Sequence, residues 1–83
     1  MWYAAKVKGN GAKPITAHFY VEATDKANAE SLAREISLGE FSLFGIRNVE
    51  LFPVEYSLDK IREATAKAGG PNSAYYANGQ KVE

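Results

Sequence analysis

Two runs of strict alternation, separated by six residues rich in turn formers, constrain this chain more than any other feature. From Trp2 to Lys8, Tyr3, Ala5 and Val7 fall on one side of an extended backbone, and Trp2, Ala4, Lys6 and Lys8 on the other. The pattern returns from Ile15 to Ala23, with Ile15, Ala17, Phe19, Val21 and Ala23 on the apolar side. Thr16, His18, Tyr20 and Glu22 take the opposite side. Successive side chains of a strand point to opposite faces, so each run reads as a strand with one buried face. The intervening Gly9-Asn10-Gly11-Ala12-Lys13-Pro14 suits a turn, because its glycines adopt positive φ without steric cost. Together these runs predict an antiparallel hairpin.

A helix is expected next. Thr24 or Asp25 supplies an N-cap oxygen, and Ala29, Leu32, Ala33 and Ile36 follow at the spacing of one helical stripe. Glu30 and Arg34 are four apart with the acid first, the favourable order on a solvent face. With Gly39 as the residue past its end, the helix spans about residues 26–38. The connection that follows carries Phe41, Leu43 and Phe44, which suit a cap on the bottom of the core.

Residues 46–56 predict a third strand, with Val49 and Leu51 on one face and Phe52, Val54 and Tyr56 on the other. Pro53 has no N–H to give a neighbour, so this strand is an edge or ends there. Ser57 then caps a second helix with a thinner stripe of Leu58, Ile61, Ala64, Thr65 and Ala68, stopped by Gly69-Gly70-Pro71. The first helix must cover the face made by Tyr3, Val7, Phe19, Val21, Val49 and Leu51, since both surfaces need burial. The expected fold is therefore α+β: a two-layer sandwich with a three-stranded antiparallel sheet in β-β-α-β-α order and one or two helices packed on it. With 83 residues the chain has room for one domain, here residues 1–70, and residues 71–83 read as a loosely ordered polar tail.

Composition narrows the chemistry. The chain has no cysteine, which removes disulfides, thiol nucleophiles and Cys-based metal sites. Its one imidazole, His18, sits mid-strand with no nucleophile motif and no clustered carboxylates to complete a catalytic or metal site. Glu50 and Glu55 fall on opposite faces of a strand, and Glu30 and Glu35 diverge around a helix, so neither pair converges for acid–base work. The glycines of the hairpin loop lead into a strand, where a phosphate cradle needs a helix N-terminus. Neither catalysis nor a cofactor is expected.

No stretch approaches the roughly 18 consecutive apolar residues of a membrane span. The opening residues Met1 to Lys6 lack the basic and apolar regions of an export signal, so a cytoplasmic protein without membrane association is expected.

The outward sheet face is the candidate binding surface. Trp2, Lys6, Lys8, His18 and Tyr20, joined by Phe52 and Tyr56, mix aromatic planes with positive charge. Left open, such a face resembles the sheet surfaces that stack nucleic-acid bases. Alternatively the second helix folds over it, with Leu58 and Ile61 packing on Trp2 or Tyr20, or another copy or another protein covers it. The net charge is zero, but residues 1–20 carry +3, residues 21–55 carry −4 and residues 56–83 carry +1. A neutral sum argues against nonspecific nucleic-acid binding, which depends on many phosphate contacts.

The run His18-Phe19-Tyr20-Val21-Glu22-Ala23-Thr24, leading into Ala27-Asn28-Ala29-Glu30-Ser31-Leu32-Ala33, resembles the β-β-α-β plan of small phage-encoded accessory proteins, among them some inhibitors of type I CRISPR systems. The resemblance covers Trp2 to about Leu51 and implies action by binding a host complex, which would place the protein in the host cytoplasm. The phrase Asn28 to Ala33 also resembles the first helix of peptidoglycan-binding SPOR domains, which have one strand before that helix where this chain has two. Three functions follow as expectations. The first is a non-enzymatic module that binds a protein partner. The second is a single-stranded nucleic-acid binder using the aromatic and basic face, and the third is a self-associating protein in which that face forms a homodimer.

Overall fold

The hairpin forms the centre of the sheet in a computed structural model that describes residues 1–11, 16–43, 45–68, 73–75 and 80–81. Strand β1, Trp2–Gly9, pairs antiparallel with β2, Thr16–Glu22, in the register Trp2 opposite Glu22 through Lys8 opposite Thr16. The ladder is extended at its end by the Ala23 N–H, which donates to the Met1 carbonyl at 2.9 Å. On the other side β1 pairs antiparallel with β3, Ile46–Val54, with a register shift between Lys8 and Gly9.

Helix α1, Lys26–Gly39, starts where the capping argument places it. The Asp25 side chain accepts from the Asn28 N–H at 2.8 Å, and Asn28 Oδ1 accepts from the Thr24 N–H at 3.2 Å. The first satisfies an amide that the opening helical turn leaves without a partner, and the second ties the residue before the cap to that turn. At the other end Gly39 remains within the helix and Glu40 caps it in a right-handed conformation, its N–H donating to the Ile36 carbonyl at 2.7 Å. The left-handed glycine stop expected there is therefore absent, and the positive φ values fall later, at Ser42 (52°) and Gly45 (74°). These two residues turn the chain from α1 into β3.

The apolar stripe of α1 buries Ala29, Leu32, Ala33 and Ile36 against Tyr3, Ala5, Val7, Ala17, Phe19 and Val21. Val49 and Leu51 of β3 pack on the same cluster. Leu43 joins this core, and Phe41 stacks on Phe19 with ring centroids 5.4 Å apart, so both act as the expected cap; Phe44 lies outside the described residues.

Helix α2, Leu58–Ala68, begins with Ser57 Oγ accepting from the Lys60 N–H at 3.3 Å. It packs on the opposite face of the sheet. Ile61 is fully buried there with Trp2 and Ala74, while Leu58, Tyr20 and Val54 border the cluster. The α+β class, the element order and the antiparallel sheet are those expected, and α2 adds a third layer.

One further difference from the sequence reading is a fourth strand. Ser73–Tyr75, assigned above to a loosely ordered tail, form a short strand β4 parallel to β2, and Ala74 is buried. The rest of that tail lies outside the described residues, Gln80 and Lys81 excepted. The order of the described strands is accordingly β3-β1-β2-β4, which makes β3 an edge, one of the two outcomes that Pro53 allows.

Candidate binding surface

The register of the sheet sorts the seven candidate residues into rows. On the α2 side, Trp2 lies between Val54 and Glu22, Ala4 between Phe52 and Tyr20, Lys6 between Glu50 and His18, and Lys8 between Asn48 and Thr16. Successive rows are two residues apart, about 6.5–7 Å along the strands.

The first row is closed. Trp2 is only 5% exposed, sealed by Ile61 and Ala74. Its inclusion in an accessible binding face is corrected: the indole forms a second small core. The physical reason is the size of an aromatic side chain, whose burial contributes more than an amphipathic α2 could gain by remaining in solvent.

Tyr20 marks the boundary. It is half-buried at the margin of the Trp2 cluster, and Tyr56 lies against it with ring centroids 6.3 Å apart and planes tilted by 55°. Lys60 Nζ stands 6.0 Å from the centre of the Tyr56 ring, at the outer limit of a cation–π contact. Tyr56 therefore ends the covered region and begins the open one.

Beyond it the face is open. Phe52 is 57% exposed, His18 is exposed, and Lys6 and Lys8 are half-buried by their aliphatic stems. Ala4, which sequence reasoning did not select, forms the floor between Phe52 and Tyr20. Those two rings grow from strands on either side of β1, about 9.5 Å apart at the backbone. A shallow depression of about 110 Å³ opens over Ala4 and is lined by Ala4, Ala5, His18, Phe19 and Tyr20. Its signal in the sequence was the small residue at the centre of an otherwise bulky outward row.

The division of the face follows from where the helices sit. Helix α1 packs most heavily across β3, and α2 lies toward β4, at the other edge of the sheet. Past the Trp2–Val54 row, the quadrant above β3 and β1 on the α2 side is thus left without a helix. It holds Lys6 and Lys8, with Glu50 as the acid in the same rows and His18 at its margin. Among the described residues, none of these four forms an ion pair within the chain. No group of three His, Asp or Glu side chains converges on a metal-sized site among the described residues. No described helix is long and apolar enough to cross a membrane.

The fold and this surface define a small α+β domain with a helix on each side of its sheet and one quadrant open. Compared with family models, curated proteins and solved structures, the chain matches none.

Proposed function

We propose that the chain is a non-enzymatic protein-binding module that engages its partner through the open quadrant above β3 and β1. The observation that carries this reading is Phe52, a large apolar side chain more than half exposed, with Lys6 and Glu50 in the next row of the sheet. An aromatic anchor ringed by polar groups is the usual energetic centre of a protein interface. Lys6 and Lys8 outnumber Glu50, so the partner surface that fits best is an apolar pocket with acidic groups around it. Leu38, half exposed on α1, stands on the other side of the sheet and needs no functional explanation.

Burial of Trp2 weighs against nucleic acid, because it removes the largest stacking plane from the face. In its proposed role the protein acts as a small accessory factor, of the kind phages encode, which blocks or tunes a host complex in the cytoplasm.

Affinity capture from a host lysate with the wild-type chain, Phe52→Asp and Leu38→Asp tests the reading. A stoichiometric protein partner is expected with the wild type and with Leu38→Asp. Against that purified partner, Phe52→Asp is expected to weaken binding by about 2 kcal/mol, roughly thirtyfold. No stoichiometric partner, or equal affinity for the wild type and Phe52→Asp, would overturn it.

A further inference from the structure

Building on the protein-binding reading, we infer that the depression above Ala4 is a socket for one aromatic side chain of the partner. A carboxylate two residues away in the same extended segment of that partner meets Lys6.

The residue at the floor is the first observation. Ala4 stands on β1, an interior strand, facing the α2 side with Phe52 of β3 and Tyr20 of β2 directly opposite it. A position between two large rings favours a β-branched or aromatic side chain that packs on both, and alanine is depleted in strands. Here it leaves only a methyl group between strands about 9.5 Å apart, and Phe52 remains 57% exposed. A residue that weakens its own strand without a compensating contact marks a place where binding has overridden packing.

The shape of the depression is the second. His18 and Tyr20 stand on β2 and form its walls, whereas the side chains of Ala5 and Phe19 face the α1 core, so these two contribute their peptide groups. A closed apolar cavity of roughly 150 Å³ holds benzene. An open depression of about 110 Å³ takes a single ring with one edge outside it, and is far too small for a helix. A ring seated over β1 lies one strand spacing, about 4.8 Å, from the strands that carry Phe52 and Tyr20. That separation lies within the roughly 4.5–7 Å over which aromatic rings pack edge-to-face or offset.

Charge supplies the third. Lys6 follows Ala4 on the same face, about 6.5–7 Å along β1, with Lys8 one row further. Two residues of an extended peptide cover the same distance, so an aromatic residue over Ala4 brings a side chain two positions away to Lys6. Glu50 lies on the β3 side of Lys6, while the socket opens toward β2, so the carboxylate approaches Lys6 past His18. Among the described residues neither Lys6 nor Lys8 forms an ion pair within the chain.

Titration of the capped peptide Glu-Ser-Phe-Ser-Glu into the isotope-labelled chain, followed by amide NMR shifts, tests the socket in either peptide direction. Saturable shifts are expected at Ala4, Lys6, His18 and Tyr20 at millimolar peptide. Glu-Ser-Ala-Ser-Glu and Lys-Ser-Phe-Ser-Lys are each expected to bind about tenfold more weakly. Ala4→Val fills the socket and is expected to weaken binding at least about tenfold while raising the thermal midpoint of the chain. Ala4→Thr, also β-branched, repeats the test with a more polar side chain, and Ala4→Ser leaves the socket open and keeps binding. Absence of saturable shifts overturns the inference, as does equal binding of either control peptide or of Ala4→Val. A lower midpoint in Ala4→Val makes Ala4 a packing residue and overturns it too. A captured partner weakened by Phe52→Asp but indifferent to Ala4→Val leaves the protein-binding reading standing without the socket.

Discussion

Ser37 sits fully buried on the core side of α1, and its hydroxyl meets no hydrogen-bond partner among the described residues. Its backbone carbonyl is used, accepting from the Leu43 N–H at 3.2 Å to hold the loop against the helix end. A buried hydroxyl without a partner loses its hydration and gains nothing in return. Ser37→Ala is therefore expected to stabilise the domain by about 1 kcal/mol. That corresponds to a rise of roughly 4–8 °C in the thermal midpoint of a chain this size. Thermal unfolding followed by circular dichroism reads it directly, and a lower midpoint would mean that the hydroxyl is satisfied. Nothing in the sequence singles out Ser37, because one small polar residue beside Ile36 does not disturb the helical stripe. For Trp2 the sequence left two outcomes, an open face or one covered by Leu58 and Ile61, and the structure takes the second. Alternation assigns a side chain to a face of the sheet, but whether that face is covered depends on α2, far along the chain at Leu58–Ala68.

At the scale of elements, the two helices differ in how firmly they are held. Helix α1 buries Ala29, Leu32, Ala33, Ile36 and Ser37, while among the described side chains of α2 Ile61 alone is fully buried. Exposed pairs such as Glu30–Arg34 on α1 and Glu63–Lys67 on α2 contribute only a few tenths of a kcal/mol each, so packing decides the difference. Native-state hydrogen exchange is expected to show α2 amides opening at lower free energy than those of α1 and β1. Equal protection of the two helices would contradict this. The elements themselves were largely legible, since β1, β2 and the stripe of α1 are periodic over seven or more residues and their ends carry capping side chains. Strand β4 was not. Three residues are too few to display a period, and its pairing with β2 is parallel, which depends on the path of the whole chain.

At the scale of the whole molecule, the account rests on how α2 divides one face of the sheet. The covered half is a second core around Trp2, and the open half carries Phe52, Lys6 and Lys8. The proposed partner site and its predicted sensitivity to Phe52→Asp both follow from that division. The polarised charge read along the sequence acquires a spatial meaning here. Lys6 and Lys8 come to the open quadrant, whereas Asp25, Glu30, Glu35 and Glu40 belong to α1 and its ends, on the other side of the sheet. Trp2 is the only tryptophan in the chain, so its fluorescence reports this division without labelling. The intact protein is expected to show blue-shifted emission that iodide quenches poorly, with both properties lost in Ile61→Asp while the sheet remains folded. A red-shifted, freely quenched Trp2 in the folded wild type would contradict the account.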